Sequence, residues 1–155
     1  MSFSQKILIP TDLSKSSLLA VDAGGVLARQ FESDVVLLYV YDPTLLSPIY
    51  ALPGAIGAMV DAKDKVPDFE KTVHAELERI AKAHLGGVKG KIQVATLQHQ
   101  SPADAICQHA IDSGADMIVL STHGRTGLAH MLIGSVAERV VRHASVPVLT
   151  LRSKV

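Results

Sequence analysis

Three glycines and a serine in the C-terminal third of the chain have the clearest chemical potential. Gly124, Gly127 and Gly134 lie in a connection that is longer than an ordinary turn between a strand and a helix. Glycine allows a backbone to approach a ligand closely. Ser135 follows Gly134, and Glu138 follows three residues later, which predicts a helix capped by Ser135. Because a helix N-terminus presents unpaired N–H groups and a positive dipole end, this stretch predicts an anion site suited to phosphate.

The segments on either side of this connection predict the elements that position it. Residues 117–120 form a short, continuous apolar run, which is typical of a strand buried on both faces. After the connection, apolar residues recur at helical spacing and predict an amphipathic helix with a face formed by Val136, Val140, Val141 and Ala144.

The rest of the chain alternates between strand-like and helix-like segments. Further strands are predicted at 7–10, 35–40, 91–99 and 146–151, and further helices at about 67–85 and 102–113. A first helix follows the turn at Asp12 and is predicted to pack through Leu19, Ala23, Val26 and Leu27. Gly24 and Gly25 lie inside this helix, where they either allow close packing or weaken it. Residues 43–66 are predicted to be irregular and apolar, and the uncharged run 43–60 is interpreted as a packed loop, a mobile cover or a partner surface.

This alternation indicates an α/β fold with a doubly wound, mainly parallel sheet and helices on both faces. Ligands of such sheets bind at the carboxyl ends of the strands, where the strand order reverses. At 155 residues with 48% hydrophobic residues, the chain is long enough for one domain, and residues 1–155 are predicted to be that domain.

Composition excludes several classes of function. Lys and Arg total 15 and Asp and Glu also total 15, so there is no basic excess to favour nucleic acid. A single cysteine, Cys107, excludes an internal disulfide and fits a reducing compartment. Neither a signal peptide nor a membrane span is apparent, so we expect a cytoplasmic protein that is not bound to membrane. The loop lacks the GK[ST] of a P-loop, which argues against Walker-type kinase or ATPase machinery.

The spacing of the glycine loop resembles the ATP-binding branch of the universal stress protein family. That branch carries G-x-x-G, nine residues, and then glycine followed by serine or threonine. Here Ser121-Thr122-His123 precedes Gly124, and nine residues separate Gly124 from Gly134-Ser135, with Ser121 in place of the first glycine. The opening ILIPTDLS, the segment LLYVYD and the closing SVPVLTL extend the resemblance over nearly the whole chain. It implies a five-stranded sheet of order 3-2-1-4-5.

The resemblance also implies which residues hold ATP. Pro10, Asp12 and Val40 would form the nucleoside pocket, and we count Thr11, between Pro10 and Asp12, in the same group. The ribose and phosphates would be held by Leu120, Ser121, Gly124, Gly134, Ser135 and Val136, with Gly127 in the same loop. Ala137 stands where a hydroxyl residue is often found, so one phosphate contact would be absent. Mg²⁺ could arrive with the triphosphate, since it needs few protein ligands.

Three of these residues have alternative interpretations. Asp12 could accept a hydrogen bond from adenine, ribose or metal-bound water, or it could cap the following helix. Arg125 could neutralise phosphate or remain solvated. His123 could contact the ribose or phosphate, or hydrogen-bond within the loop. The seven histidines show no metal-binding spacing, so no dedicated metal site is predicted.

The function that the resemblance implies is a nucleotide-responsive regulator in the stress response. A slow ATP hydrolase and a nucleotide-free interaction module are the alternatives, and enzyme activity is left open beyond a weak ATPase. A phosphoacceptor receiver domain is disfavoured because the required acidic pair and aspartate are missing, and nothing favours flavin over ATP. The C-terminal strand is apolar and by the family order lies at an edge, so a homodimer is expected through that strand.

Overall fold

The computed structural model describes residues 5–42, 66–122 and 134–152. The strands are β1 (Lys6–Pro10), β2 (Asp34–Tyr41), β3 (Ile92–Gln98), β4 (Met117–Ser121) and β5 (Val148–Leu151). The helices are α1 (Lys15–Phe31), α2 (Val66–His84), α3 (Pro102–Ser113) and α4 (Ser135–His143). The predicted irregular segment lies almost entirely within 43–65, outside the described residues.

All strand pairs are parallel, and the sheet has the order β3-β2-β1-β4-β5. This confirms the expected fold and strand order. β1 pairs with β2 on one side, where Ile9 is opposite Leu37, and with β4 on the other, where Leu8 is opposite Ile118. The order of the strands therefore reverses between β1 and β4, and the loops after these two strands leave the sheet side by side.

The central strand, β1, contributes side chains to the core on both faces of the sheet, because successive strand residues point to opposite sides. Ile7 and Ile9 are fully buried on the face covered by α1 and α2. Leu8 is fully buried on the other face, together with residues of α3 and α4. This continuous burial agrees with the apolar runs that predicted strands buried on both faces.

The predicted face of α1 is confirmed only in part, because Ala23 and Leu27 pack against the core while the other two residues do not. Leu19 and Val26 are 42% and 58% exposed. The buried residues are small, namely Ser17, Ala20, Val21, Gly24, Gly25 and Ala28. A Cβ added to Gly24 would lie 2.4 Å from Ile9 Cδ1, so the glycine is needed for close packing of α1 on β1. Since the sequence pattern was read from the larger apolar residues, the small-residue face was missed.

Of the two other helices whose buried faces were predicted, α2 agrees with the prediction and α4 agrees only in part. The predicted face of α2 is confirmed, because Val73, Leu77 and Ile80 are buried. In α4, however, Val136 and Val141 are 37% and 50% exposed, and burial falls on Ala137 and Val140. The predicted α4 face is therefore confirmed at Val140 and at Ala144, which packs against the core, and is wrong at Val136 and Val141. Among the described residues, no helix is long and apolar enough to cross a membrane.

Candidate functional site

A cavity of about 310 Å³ lies where the carboxyl ends of β1, β2 and β4 meet the N-terminal turns of three helices. It is lined by Pro10, Thr11, Asp12, Ser17, Leu38, Val40, Pro102, Ile106, Leu120, Ser121, Thr122, Gly134, Ser135, Val136 and Ala137. Its volume is at the lower end of the range of small-molecule sites. The location is the point where the strand order reverses, as the doubly wound fold predicts.

The cavity brings together most of the residues predicted from separate stretches of the chain. These are Pro10, Thr11, Asp12, Val40, Leu120, Ser121, Gly134, Ser135 and Val136. His123, Gly124, Arg125 and Gly127 lie outside the described residues. Sequence reasoning missed Ser17, Leu38, Pro102, Ile106 and Thr122. Two of these had a usable signal: Leu38 shares a strand face with Val40, and Ile106 lies one helical turn after Pro102.

One wall of the cavity is apolar. Leu38 is fully buried, while Ile106 and Leu120 are 3% and 4% exposed. They come from β2, α3 and β4, and all three belong to the core cluster on the α3 and α4 side of the sheet. This wall extends the core into the cavity, so it favours a flat, apolar part of a ligand.

The turn between β1 and α1 supplies a carboxylate. Of the described residues that line the cavity, only Asp12 has a charged side chain. Its Oδ1 accepts from the Ser14 amide at 3.0 Å and from the Ser14 hydroxyl at 2.5 Å. Ser14 is the N-cap of α1, and its side chain accepts from the Ser17 amide. Asp12 therefore holds the capping residue and is not itself the cap.

The N-terminus of α4 forms the opposite wall and differs from the prediction. Gly134 is the N-cap, and Ser135 is the first helical residue, so the predicted cap by Ser135 is wrong. No side chain caps this helix. The first-turn amides of a helix have no partner within it, and here Ser135, Val136 and Ala137 line the cavity. This end of α4 can therefore offer N–H donors to an anion.

Space, and not an unusual backbone angle, requires glycine at position 134. Its φ is −69°, in a region open to every residue. Its amide donates to the Thr122 carbonyl oxygen at 2.6 Å, and an added Cβ would lie 2.9 Å from that same oxygen. Thr122 also donates from its amide to the carbonyl of Leu151. The start of α4 is thus fixed directly to the end of β4 and through it to β5.

Comparison with known proteins decides the family. The sequence model of the universal stress protein family matches residues 4–152. This chain belongs to the universal stress protein family. It is 36% identical over 148 residues to universal stress protein MJ0531 of Methanocaldococcus jannaschii, an alignment that covers 96% of this chain and 82% of that protein.

Solved structures agree with the family and the fold. The structure of hypothetical protein MJ0577, from the same archaeon, superposes with a TM-score of 0.72 at 26% identity and covers 97% of both chains. The crystal structure of a universal stress protein in complex with cAMP superposes with a TM-score of 0.66 at 25% identity, covering 97% of this chain and 98% of the other.

An ion pair of this universal stress protein joins two helices whose N-terminal residues line the cavity. Arg139 Nη2, in α4, is 3.2 Å from an oxygen of Asp104, in the first turn of α3. Hydrogen bonding by the Ser101 side chain, and then the charge of Arg139, lowers the pKa of Asp104. Both partners are about half exposed, so the pair itself contributes little stability.

Cys107 and the possible metal ligands offer no additional chemistry near the cavity. Burial raises the pKa of the Cys107 thiol, which disfavours the reactive thiolate. Within residues 5–42, 66–122 and 134–152, no group of three or more histidine, cysteine, aspartate or glutamate side chains could hold a metal ion.

Proposed function

We propose that this universal stress protein binds ATP in the cavity between β1 and β4 and acts as a nucleotide-responsive regulator in the stress response. The observation that carries the proposal is the convergence of the predicted residues from the ends of β1, β2 and β4 and the start of α4 on one cavity. The cAMP complex of a structurally similar universal stress protein supports an adenine nucleotide as the ligand class.

The chemistry of the lining fits the parts of a nucleotide. The wall of Leu38, Ile106 and Leu120 would pack against the base, with Pro10 and Val40 beside it. Asp12 would accept a hydrogen bond from an amino or hydroxyl group of the nucleoside, because a carboxylate is an acceptor. Ser121 would lie beside the ribose.

The start of α4 would hold the phosphates. Unpaired first-turn amides and the positive end of the helix dipole stabilise negative charge. The hydroxyl of Ser135 adds a donor, while Ala137 adds none. From the part of the chain outside the described residues, the proposal includes His123, Gly124, Arg125 and Gly127, and Mg²⁺ would enter with the triphosphate.

A regulator fits the site better than an efficient hydrolase. Phosphoryl transfer requires a positioned nucleophile and strong stabilisation of charge at the phosphate. Among the described residues that line the cavity, the charged group is the Asp12 carboxylate, and its Oδ1 already accepts two hydrogen bonds from Ser14. We expect hydrolysis to be absent or slow, and turnover in the common enzyme range of roughly 1–10³ per second would overturn the regulator interpretation.

Mass spectrometry of ligand released from freshly purified protein, followed by calorimetry with ATP, AMP and cAMP, tests the proposal. Release of an adenine nucleotide, or saturable binding with one site per chain, is the expected result. If no nucleotide binds to the folded protein, the site assignment fails and the nucleotide-free interaction module becomes the better interpretation.

We also propose a homodimer through β5. This strand lies at one end of the sheet and pairs only with β4 among the described strands. Leu149, in its centre, is 40% exposed. An exposed apolar edge strand is suited to pairing with a second copy of the chain.

A further inference from the structure

We propose that Thr11 and Ser17 are positioning residues that fix the Asp12 carboxylate in the cavity by holding the backbone at Leu13. The inference rests on the proposed function, because it assigns Asp12 a role in binding the nucleoside. Thr11 and Ser17 are 6% and 4% exposed, and both line the cavity beside Asp12.

A directed chain of hydrogen bonds connects these residues. The Ser17 hydroxyl donates to the carbonyl oxygen of Ser14 at 2.8 Å, so its single hydrogen is used there. Thr11 Oγ1 lies 2.8 Å from Ser17 Oγ and must therefore be the donor in that contact. In turn, Thr11 Oγ1 accepts from the Leu13 amide at 3.1 Å. The order of donation is thus Leu13 amide, Thr11 hydroxyl, Ser17 hydroxyl and Ser14 carbonyl.

The residue held by this chain has an uncommon backbone conformation. Leu13 has φ of 65°, in the left-handed region that a leucine rarely adopts. Such a conformation persists only where surrounding contacts determine it. The Leu13 amide donates to the Thr11 hydroxyl and the Leu13 side chain packs against the core, so loss of that hydroxyl would remove the hydrogen bond that holds the angle.

The angle at Leu13 decides where the Asp12 carboxylate lies. Asp12 Oδ1 accepts from the amide and the hydroxyl of Ser14, one residue beyond Leu13. If the backbone at Leu13 rotates, the Ser14 amide moves and the carboxylate loses the two donors that orient it. The hydrogen of the Thr11 hydroxyl is already given to Ser17, so Thr11 acts through Asp12 and not as a donor to the ligand.

A double-mutant cycle between Thr11 and Asp12, read by calorimetry with ATP and AMP, tests this coupling. Thr11→Val removes the hydroxyl at nearly constant shape and should weaken binding about tenfold, since residues in one hydrogen-bonded network are coupled. In an Asp12→Ala background the same change should weaken binding by less than about twofold, because the carboxylate through which Thr11 is proposed to act is absent. Thr11→Ser keeps the hydroxyl and should bind as the wild type does.

A merely structural role for Thr11 predicts a different pattern, in which Thr11→Val weakens binding equally in both backgrounds. That result, or wild-type affinity in Thr11→Val, would overturn the inference. If Thr11→Val does not fold, Ser17→Ala removes the acceptor that orients the Thr11 hydroxyl but leaves the Leu13 amide its acceptor, so it should give a smaller loss, and only when Asp12 is present.

A measurement without nucleotide separates this inference from the proposed function. A crystal structure or backbone scalar couplings of ligand-free Thr11→Val should show residue 13 outside the left-handed region, with Thr11→Ser unchanged. An unchanged angle at Leu13 in Thr11→Val would refute the positioning role whether or not ATP binds. Failure of the wild-type protein to bind any nucleotide would refute the proposed function and leave the backbone result to decide the positioning.

Discussion

Replacing Gly134 by alanine should weaken nucleotide binding by a displacement that can be estimated from the structure. The added Cβ would lie 2.9 Å from the carbonyl oxygen of Thr122, which is backbone and cannot turn aside. Ordinary contact begins near 3.4 Å, so the start of α4 must move by about 0.5 Å. That movement would lengthen the hydrogen bond from the Gly134 amide to the same oxygen, which is 2.6 Å long, to about 3.1 Å, still within the normal range.

The cost to stability should be modest. Overpacking of this kind costs about 1–3 kcal/mol, and the smaller entropy of an unfolded chain with alanine offsets about 0.4–1 kcal/mol of it. We therefore expect the free energy of unfolding to fall by about 1–2 kcal/mol. The larger effect should be on ATP, because the displaced amides are the proposed phosphate donors. Loss of one hydrogen bond to a charged group is equivalent to roughly a tenfold to hundredfold weaker affinity.

Calorimetric titration of ATP, combined with thermal unfolding of the ligand-free protein, measures both effects on one variant. Gly86→Ala is the matched control, because no heavy atom lies within 4 Å of its added Cβ. The control should keep wild-type affinity and equal or greater stability. Wild-type affinity for ATP in a folded Gly134→Ala protein would refute the assignment of α4 to the phosphates.

Three further outcomes are expected. Ser135→Ala should change the free energy of unfolding by less than about 0.5 kcal/mol, since Ser135 does not cap α4. The same variant should bind ATP about tenfold more weakly, because a phosphate donor is lost. A loss of stability without a loss of affinity would contradict this prediction. Leu149→Asp should convert a dimer to monomers in sedimentation at micromolar concentration, and an unchanged dimer would exclude the β5 edge. Burial, and then the hydrogen bond to Glu70, raises the pKa of Tyr41 to about 12. The Tyr41 hydroxyl therefore keeps its proton in the folded state at pH values where the unfolded state loses it, so the free energy of unfolding should fall between about pH 10 and 12. Tyr41→Phe should remove that fall when unfolding is measured as a function of pH.

The parallel sheet of the fold was predictable because two independent signals agree. Continuous apolar runs such as 35–40 predict strands buried on both faces, and their alternation with helices predicts a parallel sheet. The order 3-2-1-4-5 came from the resemblance and not from pattern. Helix faces were less predictable, because the hydrophobic pattern gives weight to large side chains. In α1 the sheet contacts small residues such as Ala20 and Gly24, which a search for leucine and valine does not find.

The site was predicted from residues at strand ends, and its missing members show the limit of that approach. Leu38 and Ile106 line the cavity because of the strand face and helical turn on which they lie, and neither has a chemical signature in the sequence. The cap of α4 was predicted one residue too late. An S-x-x-E pattern favours Ser135 as N-cap, but the hydrogen bond between the Gly134 amide and Thr122 starts the helix one residue earlier than a serine cap would allow.

The capping of the helices around the cavity indicates how the proposed nucleotide would be oriented in it. One N-terminal amide of α1, that of Ser17, donates to the side chain of Ser14, and one of α3, that of Asp104, donates to the side chain of Ser101. A serine cap occupies a donor that an anion would otherwise use. At α4 the cap is Gly134, which has no side chain to offer, and close contact with Thr122 disfavours a larger residue there. Among the described residues, no side chain therefore caps the first-turn donors of α4, which supports the proposed orientation with the phosphates at α4 and the nucleoside toward β1 and β2.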